Sequence, residues 1–170
     1  MKFKNFIVIC VLAAIFLSAC SFGGSVKKRD FSGMTGVEFS KEIVQSIVNG
    51  DKDVLLQSSM PFDFVLAIYK FKGIDFDPLK VEEMRMTYSE DQVSMVDNLL
   101  TVLPAAGVSN DADVTVDYKG YDNIGQEERE MLFSIDEVGQ FSDVDLLYGD
   151  KLLVSLRVFQ FNDVWYFFVK

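Results

Sequence analysis

The chain contains 170 residues, enough for one domain with a hydrophobic core. Its 26 acidic and 16 basic residues give a net charge of −10, so it would be repelled by phosphates and we expect no nucleic-acid partner. Histidine is absent. This absence excludes Ser-His-Asp and Cys-His catalysis and removes the commonest transition-metal ligand, and we expect neither a metal nor a cofactor.

The N-terminal stretch has the organisation of a signal peptide. Lys2 and Lys4 precede an uncharged run from Phe6 to Leu17, which is shorter than the roughly 20 apolar residues of a membrane-spanning helix. The run ends in Leu17-Ser18-Ala19-Cys20, which resembles the lipobox of bacterial lipoproteins. This resemblance implies cleavage before Cys20, a diacylglycerol thioether on its sulfur, and acylation of the new amino terminus by a fatty acid such as palmitate.

Lipidation of Cys20 has consequences for location and for chemistry. Several acyl chains on one residue hold a protein on a membrane essentially permanently. Because Cys10 leaves with the signal and Cys20 is acylated, we expect no thiol for a disulfide, for catalysis or for a metal. Ser21 follows Cys20 in place of the aspartate that signals inner-membrane retention. By analogy, a Gram-negative source would carry the protein on the outer membrane, facing the periplasm.

Composition divides the remaining chain into a tether and a domain. Ser21 to Gly33 is rich in glycine and serine, which predicts a flexible tether. Its basic triplet, Lys27-Lys28-Arg29, is either solvated or in contact with anionic lipid. We therefore assign residues 1–19 to a signal peptide, residues 20–34 to the lipidated cysteine and its tether, and residues 35–170 to one domain.

The first half of the domain predicts helices. Thr35 and Glu38 have the spacing of a capping box, and Asn49-Gly50 is a stop signal after an apolar helical face. Further helices are predicted after Asp51, from Pro61 to Gly73, and from Asp77-Pro78 to Pro104, where Ser89 to Gln92 marks either the start of a second helix or a kink in a single one.

After Gly107 the apolar period changes to two, which predicts strands. Ala112 to Lys119 forms the first candidate, Met131 to Ile135 the second and Val144 to Tyr148 the third. Leu152–Phe161 and Val164–Val169 predict a hairpin closed by Asn162-Asp163. Helices followed by strands indicate an α+β fold, with N-terminal helices packed on one face of a curved antiparallel sheet of about four or five strands.

The hairpin register defines two faces. Phe161 is expected opposite Val164, which places Val154, Leu156, Val158, Trp165, Phe167 and Val169 on one apolar face. The opposite face carries Arg157, Phe159, Phe161, Val164, Tyr166 and Phe168. This second face is too aromatic for an ordinary solvent-exposed surface. Either a helix or loop covers it, or it is the surface of a homodimer or of a protein partner.

Two short motifs resemble lipoproteins of the nuclear-transport-factor-two-like superfamily. Ser46 to Asp51 is followed by Val54-Leu55-Leu56, and the last strand opens with Val164-Trp165-Tyr166. The resemblance covers roughly residues 35–170, from which the helical stretch 61–103 departs. It implies a curved sheet wrapped on helices as a cone, with an apolar cavity that can hold a small apolar ligand. Some members are isomerases or dehydratases, and others only bind ligands or assemble as dimers.

An enzyme without histidine would need a carboxylate base and a tyrosine partner. Asp117, Tyr118 and Tyr166 are the candidates on strands, although their spacing does not indicate that they converge. The Asp-x-Asp pairs at 51/53, 75/77, 111/113 and 143/145 do not continue into a calcium-binding loop. We interpret them as caps and turns and predict no metal site.

The sequence therefore favours a membrane-anchored lipoprotein whose domain binds a ligand or a protein and is not an enzyme. Its acidity makes a neutral or basic partner the natural one. Two alternatives remain open: an immunity lipoprotein against a toxin that acts in the cell envelope, and a small isomerase-type enzyme with an Asp/Tyr site in the cone.

Overall fold

The structure is a computed structural model that describes residues 29–170. Cys20 and the predicted signal peptide lie outside these residues. The described helices are α1 (Gly36–Asn49), α2 (Lys52–Ser58), α3 (Phe62–Phe71), α4 (Pro78–Ala105) and α5 (Gln126–Phe133), and the strands are β1 (Val114–Gly120), β2 (Val138–Tyr148), β3 (Lys151–Phe161) and β4 (Val164–Val169). The strands form an open antiparallel sheet in the order β1-β2-β3-β4, which confirms the predicted α+β class.

Helix α1 begins and ends as its sequence predicts. The Thr35 side chain accepts from the Glu38 backbone N–H, and the Glu38 carboxylate accepts from the Thr35 N–H at 2.8 Å, which completes the capping box. At the other end Gly50 adopts φ 72°, and its N–H and that of Asp51 donate to carbonyls of the last turn. This left-handed cap needs glycine because it has no Cβ.

The β3–β4 hairpin has the predicted loop and register. Asn162 and Asp163 both have positive φ, 52° and 62°, as a two-residue hairpin turn requires. Phe161 pairs with Val164, and the pairing continues to Leu156 opposite Val169. The two predicted faces of the hairpin are therefore confirmed.

The main core lies between one face of the sheet, which we call the core face, and helices α1, α2 and α4. Trp165 is fully buried there; its ring stacks on Phe39 at 5.9 Å, and its indole N–H donates to the Met34 carbonyl at 2.8 Å. Gly36 lies against these rings, since an added Cβ would contact the Tyr118 hydroxyl and approach Trp165 to 2.8 Å. Side chains of the chain itself thus fill the space between α1 and β4.

Residues 29–34 belong to the packed domain. Phe31 is 1% exposed and packs edge-on against Phe39 at 5.3 Å. Arg29 forms an ion pair with Glu42 at 2.6 Å and exchanges two hydrogen bonds with Gln57. The domain therefore begins before the predicted boundary at Thr35, and the earlier part of the predicted tether lies outside the described residues.

The strand predicted at Met131–Ile135 is wrong, because this segment forms the end of α5 and the turn after it. Leu132 and Ile135 are buried while Phe133 is 58% exposed, which is a helical and not an alternating pattern of burial. Three alternating apolar residues are too few to distinguish a strand from a helix. The preceding Gln126 to Glu130 consists of good helix formers, and these decide the local structure.

Two further boundaries differ from the predictions, and the alternative left open for the stretch from Asp77 to Pro104 is decided in favour of a single helix. Strand β2 begins at Val138 and not at Val144, because its first half carries the buried polar residues Ser142 and Asp143, which hide the alternation. Ala112 lies in a 3₁₀ turn and not in a strand. Pro78 to Ala105 is one helix of 28 residues. Within residues 29–170, no helix combines the length and apolar character that crossing a bilayer requires.

Candidate functional site

The face of the sheet opposite the core, which we call the outer face, is aromatic at one end and charged at the other. Register places the aromatic residues near the β3–β4 turn and the charged residues toward the β2–β3 turn. The outer-face residues are Asp117 and Lys119 of β1, Phe141, Asp143 and Asp145 of β2, Ser155, Arg157, Phe159 and Phe161 of β3, and Val164, Tyr166 and Phe168 of β4.

Helix α3 covers the aromatic end. Helices therefore pack on both faces of the sheet, whereas the sequence predicted helices on one face. Phe64 of α3 lies 4.4 Å from Phe159 and 5.4 Å from Phe161, measured between ring centroids, and all three rings are buried. Tyr166 and Phe168 stay half-buried. A partner surface on this face stays a prediction, and it concerns these two residues.

Arg157 organises the charged end. This residue is 4% exposed, and its Nε donates to Oδ1 of Asp143 at 2.8 Å while its Nη1 donates to Glu128 of α5. Lys170 donates to the other Asp143 oxygen at 2.5 Å, and the Phe168 ring lies under the guanidinium, 5.7 Å from centroid to Cζ. Arg157 therefore links α5 to the sheet: Arg157 and Asp143 are a buried, partnered pair, and Glu128 of α5 is a partly exposed partner.

The protonation states of this network are fixed at neutral pH. Burial raises the pKa of Asp143, but hydrogen bonds from Arg157 and Lys170 outweigh it, and the net pKa is below that of an ordinary aspartate. Burial also lowers the pKa of Arg157, and its bonds to Asp143 and Glu128 raise it above the ordinary value. A general acid or base needs a pKa near the working pH, so this network suits a structural ion cluster.

Asp117, the candidate base, lies in a second ion cluster on the outer face. Lys119 bridges Asp117 at 3.2 Å and Asp145 at 2.9 Å. Ser155 donates to Asp145 at 2.5 Å, and this hydrogen bond is the main cause of a lowered Asp145 pKa, with Lys119 adding to it. Asp117 is thus paired with a lysine and exposed to solvent.

The structure does not bring the three catalytic candidates together. Tyr118 follows Asp117 on β1 and points to the core face, because side chains alternate along a strand. Tyr166 shares the outer face with Asp117 but lies on β4, three strand spacings away, or about 14 Å. Burial raises the pKa of both tyrosines. A hydrogen bond with Ser142 opposes this rise at Tyr118, and the nearby charge of Asp63 adds to it at Tyr166.

Tyr118 lines a cavity of about 350 Å³ at the end of the sheet. Tyr121, Phe133 and Phe141 form its aromatic walls, and Gln140 is its polar side chain. No carboxylate belongs to this lining in the described part of the chain. Tyr118 therefore has no acid–base partner within the cavity.

A groove of about 700 Å³ lies between the end of α3 and helix α5. Phe71 and Met131 supply apolar surface, and Glu127, Glu128 and Glu130 supply acidic groups; Lys72, Gly125 and Ser134 complete the lining. The Arg157–Glu128 pair holds α5 in position behind the groove. An open groove that combines apolar surface with carboxylates is suited to a basic, partly apolar segment of a partner.

Three of the four Asp-x-Asp pairs lie at helix starts or turns, as interpreted from the sequence, whereas Asp143 and Asp145 lie within strand β2. Asp77 caps α4, accepting from the Lys80 N–H at 3.0 Å, and Asp111 and Asp113 lie in the 3₁₀ turn. Asp143 and Asp145 belong to the two ion clusters. Residues 29–170 contain no cluster of three or more His, Cys, Asp or Glu side chains that could hold a metal ion.

Comparison of the chain with protein-family models, with curated proteins and with solved structures finds no match. The groove and the ion clusters are therefore interpreted from their own geometry.

Sequence reasoning missed the groove because it assigned one wall, α5, to a strand. The helix-forming run from Gln126 to Glu130 was the available signal. Nothing in the sequence indicated that Glu128 would meet Arg157 across 29 positions, because such a contact depends on how α5 returns to the sheet.

Proposed function

We propose that this chain is a lipid-anchored lipoprotein of the bacterial cell envelope. Its domain is a binding domain and not an enzyme, and it holds a partner protein in the groove between α3 and α5. The binding role is supported by the lining of that groove, in which Phe71 and Met131 lie among three glutamates. The anchor is supported by Leu17-Ser18-Ala19-Cys20 and the positive and apolar segments before it.

Binding is favoured over catalysis by the positions of the ionisable groups. Asp117 is paired with Lys119, the Tyr118 side chain points to the opposite face of the sheet, and Tyr166 lies three strands away. On the outer face, the carboxylates Asp143 and Asp145 have lowered pKa values, because the Ser155 hydroxyl engages Asp145 and cations engage both. A groove with fixed negative charge attracts a basic surface, which raises the rate of association and disfavours acidic competitors.

The proposed relationship to nuclear-transport-factor-two-like lipoproteins rests on two sequence motifs. The α1–α2 junction at Gly50-Asp51 and the β4 segment Trp165-Tyr166 occur at an element boundary and in the last strand, as the resemblance implies. Trp165 and Phe39 fill space beneath the sheet where a ligand cavity would be expected. We therefore favour the external groove over an internal site for a small apolar ligand.

The anchor is tested by metabolic labelling with a fatty acid and by membrane fractionation. The wild-type chain should incorporate the label and float with membranes. Cys20→Ala should lose both, while Cys10→Ala should retain both because that residue is removed with the signal. Label incorporated by Cys20→Ala would contradict lipidation at this site.

The groove is tested by charge reversal in the anchored protein. Glu127→Lys combined with Glu130→Lys should reduce several-fold the partner recovered after cross-linking in native membranes. Asp53→Lys combined with Glu90→Lys is the matched control, since it changes the net charge equally at exposed sites on other helices. Equal losses in both double variants would indicate a general charge effect and contradict a specific groove.

A further inference from the structure

The turn between α3 and α4 presents apolar side chains to solvent. Leu79 is 85% exposed, Phe71 49% and Ile74 41%. A single exposed leucine needs no explanation, but three large apolar side chains that border one turn form a patch of the kind that marks a contact surface. We call Phe71, Ile74 and Leu79 the apolar tip.

The apolar tip is held in an ordered turn. The Ile74 N–H donates to the Tyr69 carbonyl at 2.9 Å, and the Phe76 ring packs edge-on against the Tyr69 ring at 5.1 Å. Asp77 caps the following helix by accepting from the Lys80 N–H. The turn therefore directs one of its aromatic residues, Phe76, inward and keeps Ile74 and Leu79 outside.

The charges around the apolar tip differ from those of the whole chain. Between positions 70 and 80 there are three lysines and two aspartates, whereas the chain as a whole carries −10. Asp77 serves as a helix cap and Lys80 pairs with Glu83 at 2.8 Å, which leaves Lys70 and Lys72 as the lysines for headgroup contacts. Lysines beside exposed apolar residues are typical of segments that enter a membrane interface. The apolar groups enter the acyl boundary, and the ammonium groups reach the phosphates.

The length of the preceding chain allows the apolar tip and the lipid to meet one membrane. Cys20 lies nine residues before Arg29, and nine residues span at most about 30 Å. Arg29 is hydrogen-bonded to Gln57 of α2, and from there α3, ten residues and about 15 Å long, leads to the tip. This step rests on the proposed lipidation of Cys20.

We propose that Ile74 and Leu79 of the apolar tip insert into the surface of the membrane that carries the lipid anchor, with Lys70 and Lys72 at anionic headgroups. The lipid alone fixes only one end of a tether, whereas a second contact fixes the orientation of the domain. Phe71 belongs both to the tip and to the groove. Insertion therefore places the groove beside the membrane, where it meets partners at the membrane surface.

The test uses the full lipidated chain in phosphatidylcholine vesicles that contain some phosphatidylglycerol and brominated acyl chains as fluorescence quenchers. Leu79→Trp and Leu152→Trp each replace an exposed leucine, the second at the β2–β3 turn. Trp165 is fully buried and gives the same background in both. We expect quenching at position 79 to be at least about twofold stronger than at position 152, since tryptophan favours the interface when it can reach it.

A further variant tests the tip as a unit. Adding Ile74→Asp to Leu79→Trp should reduce quenching to the level of Leu152→Trp, and the exposed position leaves the core intact. Equal quenching at positions 79 and 152 in chains that float with vesicles would overturn the proposal. If the chain does not float because Cys20 carries no lipid, the anchor fails, and quenching at position 79 at high vesicle concentration then tests insertion by itself.

Discussion

At the scale of single residues, the buried charges of the outer face are the most constrained groups in the described chain. Arg157 and Asp143 are buried on adjacent strands, and each has charged or aromatic partners on other elements. A buried ion pair gains little over an apolar pair, but the loss of one member leaves the other charge unpartnered in a poorly solvated place. Stability should therefore be sensitive to single substitutions here.

Arg157→Ala should lower the free energy of unfolding by about 2–4 kcal/mol, because it removes the main partner of Asp143 and the link to Glu128. Urea denaturation measures the loss. Arg85→Ala is the control, since Arg85 forms exposed pairs with Asp63 and Glu82 and should cost less than about 1 kcal/mol. Equal costs would contradict the structural role assigned to Arg157.

The lowered pKa of Asp143 predicts how stability depends on pH. Because the folded-state pKa lies below the unfolded value of about 3.9, the stabilisation is complete above that value and is lost as the pH falls through the folded-state pKa. Asp143→Asn should therefore flatten the loss of stability below about pH 4, measured by urea denaturation at a series of pH values. Asp150→Asn, in the exposed β2–β3 turn, should keep the wild-type slope.

Gly36→Ala tests the packing of the core against α1. Alanine is the better helix former, but its Cβ would meet the rings of Tyr118 and Trp165, which cannot move without disturbing the core. We expect a loss of about 1–3 kcal/mol in the free energy of unfolding. Gly125→Ala adds a Cβ in open space and should cost under about 1 kcal/mol. A neutral Gly36→Ala would mean that the ring contacts relax.

At the scale of elements, α3 and α5 convert an aromatic sheet face into a second core and create the groove above it. Phe64 anchors α3, and Leu132 and Ile135 anchor the α5 segment. The sequence predicted α1, the β3–β4 hairpin and both hairpin faces, because caps, turn residues and long alternation are local signals. It could not predict which helix covers Phe159, because that depends on contacts between distant segments.

Phe64→Ala should release α3 from the sheet. The ring is 1% exposed and packs on Phe159 and Phe161, so its removal should lower the free energy of unfolding by about 3–5 kcal/mol in urea denaturation. Phe71→Ala, on the same helix but half exposed, should cost under about 1 kcal/mol. If both variants lost the same stability, α3 would not be anchored through Phe64.

At the scale of the whole molecule, the proposed lipid anchor would hold an acidic domain that has a groove near one end. The Leu17–Cys20 motif was sufficient for the anchor hypothesis, and the absence of histidine was sufficient to exclude histidine-based chemistry. The groove was not predictable from the sequence, because its walls, α3 and α5, come from segments more than 50 positions apart and α5 is held to the sheet by the contact between Glu128 and Arg157.

The most direct test of the account is site-specific photo-cross-linking in the intact native membrane. A photoreactive amino acid at Ser134, which lines the groove, should give one discrete cross-linked protein. The same probe at Leu152, exposed at the β2–β3 turn, should not give it. A chain that is anchored but yields no cross-link at Ser134, or yields the same products from both positions, would contradict the claim that the groove is the binding site.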